Sequence, residues 1–267
     1  MRTRSYRRFL LTMGSLVLAT SVVWAQEGQA QGREFHWSGK LAADNIVEIK
    51  GINGNIDAES SDGNEVEVTA EKSGPRADEV KIEVLPHADG VTICAIYPSG
   101  LGRGHCEPGR RWDSGNQHGD DTKVHFTVRV PGNIRFSGQN VNGEVNAKNM
   151  GRFVHASTVN GNIRVSTKSW AEVASVNGDV KANMGSSDWR GTLSAETVNG
   201  AIELELPGDL NAEVSFKSVN GRLHTEFPLS VDGSLGGHWI NGRIGNGGRE
   251  LKLETVNGNV ELKKAEI

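Results

Sequence analysis

The chain has 267 residues, of which 36 % are hydrophobic and only 6 % aromatic, with 34 glycines and 29 basic against 33 acidic side chains. A weakly acidic chain of this length fits one large domain or two small ones, and it argues against nucleic acid or an anionic lipid surface as partner. Apolar residues rarely recur at i, i+3, i+4 while simple alternation is common, so the pattern predicts an all-β protein.

The first 25 residues read as a secretory signal peptide. Arg2, Arg4, Arg7 and Arg8 form a basic start, Phe9 to Trp24 is an apolar run, and Val23-Trp24-Ala25 fits a cleavage site. A membrane anchor is the competing reading, but the run is short for a span, which needs about 20 residues. Removal leaves 25 basic residues against 33 acidic ones, a net charge of −8. No later segment is apolar enough to cross a bilayer. Residues 26–34 read as a flexible linker, and 35–267 as a single domain, exported to the periplasm or cell surface.

From 35 to 135 the pattern is irregular. Strand-like alternation falls at 65–70, 80–85, 91–96 and 124–130, and one early repeat spans Val47 to Ala58. This part reads as the irregular N-terminal coils and cap of a longer repeat structure, with a long loop at 97–122. Cys94 and Cys106 are the only cysteines. In an exported chain such a pair points to a disulfide, and the spacing is not the C-x-x-C of a redox pair. The loop also gathers His105, Asp113, His118, Asp120 and Asp121, but in no established metal-binding spacing. It reads as a solvated loop, and neither a metal nor a cofactor is implied.

The regular part runs over 136–262. Across the whole chain an aliphatic residue followed by Asn-Gly occurs eight times: at Asn53-Gly54, Asn142-Gly143, Asn160-Gly161, Asn177-Gly178, Asn199-Gly200, Asn220-Gly221, Asn241-Gly242 and Asn257-Gly258. The surrounding template is apolar, x, apolar, x, Ser or Thr, Val or Ile, Asn, Gly, x, Ile or Val. The copy at Asn241-Gly242 is degraded. Dense repetition of this kind describes architecture before chemistry.

Two folds produce such a pattern. Asn-Gly between alternating strands is a strong hairpin sign, which would build a meander, barrel or sandwich. Alternatively, Asn-Gly marks the same corner of every coil in a single-stranded β-solenoid. In a hairpin the residue before Asn faces the residue after Gly, and those are mostly polar: Asn55, Glu144, Asn162, Asp179, Ala201, Arg222, Arg243 and Asn259. A hairpin would leave every Val or Ile on a solvated face, whereas a solenoid corner can turn it inward, so the solenoid is preferred. Val145, Ile163, Val180, Ile202, Leu223, Ile244 and Val260 would then stack as a core column, and the asparagines as a side-chain ladder. Asn suits a left-handed corner and Gly accepts any φ. The C-terminal edge would be guarded only by Lys263, Lys264 and Glu266.

The tandem Thr/Ser-Val-Asn-Gly-x-Ile/Val pattern resembles the bacterial "putative adhesin" family, exported or envelope-associated β-solenoids related to the head domain of autotransporter adhesins. The runs Cys94-Ala95-Ile96-Tyr97-Pro98, Cys106-Glu107-Pro108-Gly109 and Phe126-Thr127-Val128-Arg129-Val130-Pro131 share the resemblance, which spans about Ile46 to Leu262. It implies the fold and carries no catalytic motif.

Three functions compete. The first is a non-catalytic envelope binding module whose partner is an envelope glycan or protein, with Trp112, Trp170, Trp189 and Trp239 as candidate ligand contacts. The second is a polysaccharide-binding or -processing enzyme, which would need paired carboxylates on one face. The outward column Asp57, Asn146, Arg164, Lys181, Glu203, His224, Gly245, Glu261 instead reads as a solvated surface. The third is a structural protein that self-associates through its open C-terminal edge. The first reading is preferred.

Overall fold

A computed structural model describes residues 29–98, 106–109, 121–231 and 238–265. The leader at 1–25, Trp112 and most of the 97–122 loop lie outside the described residues.

The protein is all-β, and the described residues form two sheets of eleven strands each. Seven Asn-Gly copies join a strand of one sheet, here the front sheet, to a strand of the other, the back sheet. Each such pair forms one rung. In stacking order the rungs are Ile46–Lys50 with Ile56–Ser61, Arg135–Gln139 with Val145–Met150, and Val154–Asn160 with Ile163–Thr167. Then come Ala171–Asn177 with Val180–Met184, Thr192–Asn199 with Ile202–Leu206, Arg249–Asn257 with Val260–Lys264, and Ala212–Asn220 with Leu223–Thr225. Neighbouring rungs pair in parallel and in register, so Val145, Ile163, Val180, Ile202, Val260 and Leu223 align as one column.

The two strands flanking each Asn-Gly therefore enter different sheets, and these copies make no hairpins. The inward residues of both strands meet between the sheets. On the front sheet, Val154, Ala171, Leu193, Leu251 and Val214 form one buried column and Ala156, Val173, Ala195, Leu253 and Phe216 a second. Each fully buried Val, Ile or Leu stabilises the stack by about 1.5–3 kcal/mol, which is how a chain with few aromatics holds a thin core.

Within 35–135 one rung, Ile46 to Ser61, turns at Asn-Gly. Gly90–Ile96 on the front sheet and Lys123–Pro131 on the back sheet pair in parallel with its two strands, and Lys81–His87, Val66–Ser73 and Glu34–Gly39 add antiparallel strands beyond them. Three expectations are corrected. The copy at Asn241-Gly242 is not a corner. It lies inside Trp239–Ile244, antiparallel to Ala212–Asn220, so Ile244 faces Ala212 and leaves the core column expected for it. Gly236-Gly237 and Gly245 flank this copy in place of the apolar alternation that commits a strand to a rung. The strand Val260–Lys264 is not an edge. It sits between Ile202–Leu206 and Leu223–Thr225, because the last rung inserts into the stack. Lys263 pairs with Glu203 and Glu261 on the outer back face and guards no edge.

The third correction concerns the corner. Strand alternation runs unbroken up to Asn, so Thr158, Ser175, Thr197 and Thr255 point inward and are buried. Their hydroxyls donate to the Gly carbonyl of the preceding rung, at 3.0 Å from Thr158 to Gly143, Ser175 to Gly161 and Thr197 to Gly178, and at 3.3 Å from Thr255 to Gly200. The valine that follows must then point outward, not inward. Nor are the corner asparagines left-handed: among the described residues only Asp44 and Asn149 are non-glycine residues at positive φ.

Candidate functional site

The outward valines make the site. Val141, Val159, Val176, Val198, Val256 and Val219 line a groove of about 950 Å³ along the front sheet. Val176, Val198 and Val256 are 37–38 % exposed and Val219 56 %. At about 4.8 Å per rung the six valines extend roughly 24 Å. Ile52, in the equivalent place on the first rung, is buried beside Tyr97, whose hydroxyl donates to the Asn53 carbonyl at 3.1 Å.

Two polar rows border the valine stripe. Outside it runs a chain of amides, in which each Asn Nδ2 donates to the neighbouring Oδ1. Asn142 donates to Asn53, Asn160 to Asn142, Asn177 to Asn160 and Asn199 to Asn177, each at 2.8 Å; Asn257 donates to Asn199 at 2.7 Å and Asn220 to Asn257 at 2.8 Å. The glycines allow this spacing. A Cβ on Gly178 would overlap the Gly161 carbonyl, and the same clash recurs between successive rungs.

Inside the stripe, two residues back along each strand, lie Gln139, Ser157, Ala174, Glu196, Glu254 and Lys217, ending at Trp239. Lys252 bonds Glu196 at 2.8 Å and Glu254 at 3.0 Å, and Lys217 reaches Glu254 at 3.3 Å. Lys217 also stands 5.1 Å from the centre of the Trp239 ring. Partial burial pushes the Glu196 carboxyl up, but hydrogen bonds from Lys252 and Ser194 outweigh it and hold the group below its ordinary range. Hydrogen bonds to Glu196 and Glu254 hold the Lys252 ammonium above its ordinary range.

The opposite end of the front face is roofed. Cys94 and Cys106 form a disulfide with Cα atoms 5.8 Å apart. The segment after it covers Glu48 and Lys50, which are almost fully buried. Lys50 donates to the Glu107 carbonyl at 2.6 Å, and Glu48 accepts from Thr92 and Gln139 at 2.8 Å and from the Gly109 amide at 3.0 Å. The groove begins where this roof stops, at Gly51, Gln139 and Asn140.

The tryptophans separate. Trp239 is 65 % exposed at the groove's far end. Trp170 is half-buried against Phe153 at the other margin of the front sheet, ring centres 6.1 Å apart. Trp189 is buried and donates to the Glu250 carbonyl at 3.0 Å, a packing role that removes it as a ligand contact. The valines were missed as surface residues, although one sign of them was present. In Leu193-Ser194-Ala195-Glu196-Thr197-Val198 the buried phase is Leu, Ala, Thr, which leaves Val198 on the other face.

On the back sheet, Asp57, Asn146, Arg164, Lys181, Glu203, Glu261 and His224 share the outer face, and Gly245 does not join them. The hydrogen bond from Lys181, followed by that from Lys263, holds the Glu203 carboxyl below its ordinary range. Among the described residues no group of three or more His, Cys, Asp and Glu side chains is placed to hold a metal ion, and no helix is long and apolar enough to cross a membrane.

Solved structures of similar shape include a putative cell adhesion protein from Clostridium sporogenes, at 11 % identity and a TM-score of 0.43, covering 90 % of this chain and all of that one. A putative adhesin from Bacteroides fragilis follows, at 13 % identity and a TM-score of 0.34, covering 87 % of this chain and 98 % of that one. Another from Parabacteroides distasonis has 15 % identity and a TM-score of 0.24, covering 86 % and 97 %. Likeness at this level transfers no activity. No curated protein matches the chain. A family model does, over residues 37–263, a span that takes in all seven rungs and most of the strands that extend them. On that match, the chain belongs to the Toastrack DUF4097 family.

Proposed function

We propose that this protein is an exported, non-catalytic binding module of the cell envelope, an adhesin-like β-solenoid that takes an elongated glycan along its valine groove. Export rests on the basic-then-apolar composition of residues 1–25. The adhesin-like neighbours agree in kind with a binding role. The observation that carries the reading is the stripe of six outward valines, bordered on one side by the amide chain and on the other by a row that is polar at every rung but that of Ala174, and ending on exposed Trp239.

A sugar chain suits this surface because its rings offer apolar C–H faces and equatorial hydroxyls together. Valines and Trp239 contact the former, and Gln139, Ser157, Glu196 and Lys217 bond the latter. A peptide is less well served. The backbone beneath the groove is already paired within the sheet, so no strand can be added there. Glu196 is held below its ordinary range, so it is not the raised-pKa carboxyl that a glycosidase acid requires.

The test is a glycan and peptide array probed with wild type, Val198→Asp and Trp239→Ala. Both changes are at exposed positions, so unfolding free energies should change by no more than about 0.5 kcal/mol. Glycan binding should fall about tenfold or more in each. Binding to peptides only, or undiminished glycan binding in both variants, overturns the reading.

A further inference from the structure

A second cleft, of about 290 Å³, lies at the opposite margin of the front sheet, where the strands begin rather than where they reach Asn-Gly. Its wall is built by three consecutive rungs. Arg135, Phe153 and Trp170 occupy the same place on each, since Phe136 bonds the Phe153 carbonyl and Val154 the Trp170 carbonyl. Stacking at about 4.8 Å brings a guanidinium and two rings into one surface.

The polar groups of this cleft are unequally matched. Arg152 faces the Asp44 carboxylate at 3.4 Å, and Glu172 faces His155 at 3.8 Å. Arg135 is held differently. Its Nε donates to the backbone carbonyl of Asp44 at 2.6 Å, and among the described residues it forms no ion pair. A guanidinium fixed through Nε keeps its two terminal nitrogens for a planar, two-oxygen acceptor. Beside it, Trp170 and Phe153 are half-buried and offer ring surface.

We propose that this cleft binds a carboxylated pyranose, a hexuronate unit of a glycan. The carboxylate takes the free fork of Arg135, the C–H face of the ring packs on Trp170 and Phe153, and hydroxyls bond Ser169 and Glu172. The cleft is sized for about one sugar ring, near the lower bound of small-ligand pockets. The proposal shares no residue with the valine groove, so either can fail alone.

Calorimetric titration with D-glucuronate, D-glucose and acetate tests it. Glucuronate should bind saturably and at least about tenfold more tightly than glucose or acetate, the size of one charge-assisted, two-bond contact. Arg135→Gln should erase the preference over glucose, and Arg135→Lys should restore it only in part. Trp170→Ala should weaken glucuronate about tenfold, with Trp170→Phe as the replacement if that variant does not fold. Lys148→Gln, an exposed change of the same charge on the back-sheet strand Val145–Met150, should leave every titration unchanged. Equal affinity for glucose and glucuronate, acetate as tight as glucuronate, no binding at all, or a folded Arg135→Gln that behaves as wild type would each overturn it.

Discussion

Within one corner the four residues Thr197-Val198-Asn199-Gly200 meet four environments, and each letter of the repeat has its own cause. Thr197 is buried and tied to the Gly178 carbonyl, Val198 faces the groove, Asn199 sits in the amide chain, and Gly200 abuts the Gly178 carbonyl with no room for a Cβ. Removing one amide deletes the bonds on both sides of it. Asn177→Ala should therefore cost about 1–3 kcal/mol, two net hydrogen bonds, measured by urea denaturation. Gly178→Val forces the rungs apart at the same corner and should cost about 3 kcal/mol or more. A smaller loss from the glycine change than from the asparagine change would contradict the close-approach account. The inward threonine and outward valine were readable from period-two alternation, once the corner is taken to continue the strand. What one local pattern could not show is the Gly carbonyl that makes an inward hydroxyl affordable, because that atom belongs to another rung.

Among the elements, the disulfide-closed segment decides where the groove ends. It roofs a Glu48–Lys50 pair that would otherwise continue the polar row, and it gives that pair one bond each, from Lys50 to the Glu107 carbonyl and from the Gly109 amide to Glu48. Cys94→Ser with Cys106→Ser should lower stability by about 3 kcal/mol through freedom returned to the unfolded chain. It should also raise hydrogen exchange at Gly109 and at the outer end of Gly90–Ile96 more than at the Asn177 rung; uniform acceleration along the stack would argue against a local roof. Strand existence in this region was legible from alternation at 65–70, 80–85, 91–96 and 124–130. Their antiparallel pairing was not, since partners such as Val66–Ser73 and Lys123–Pro131 are far apart in sequence and register is set by the sheet they join. The cleft at Arg135, Phe153 and Trp170 was illegible for the same reason: these residues become neighbours only when three rungs stack.

For the whole molecule, the outer faces are charged ladders, and their pH response has a definite sign. Glu196 and Glu203 titrate lower in the fold than their ordinary 4.5, so their stabilisation is present above that value and is lost as pH falls through the folded pKa. Lys252 titrates above its ordinary 10.5, so its share is complete below that value and lost as pH rises through the folded pKa. Urea midpoints should therefore be flat across neutral pH and fall at both extremes, modestly and less so at high salt because these groups are near the surface. A Glu196→Gln, Glu203→Gln variant should lose less between neutral pH and about pH 3 than wild type; an identical acid limb would assign it to other carboxylates. The stack itself has one further property. Its spatial order is not its chain order, because Arg249–Lys264 lies between two rungs that precede it in sequence. The rung Ala212–Thr225 thus has no parallel neighbour until the final repeat is in place. A chain emerging from its N-terminus can zip five rungs in succession and must then wait, with a strand pair held in reserve, for the last segment to slide in as the keystone.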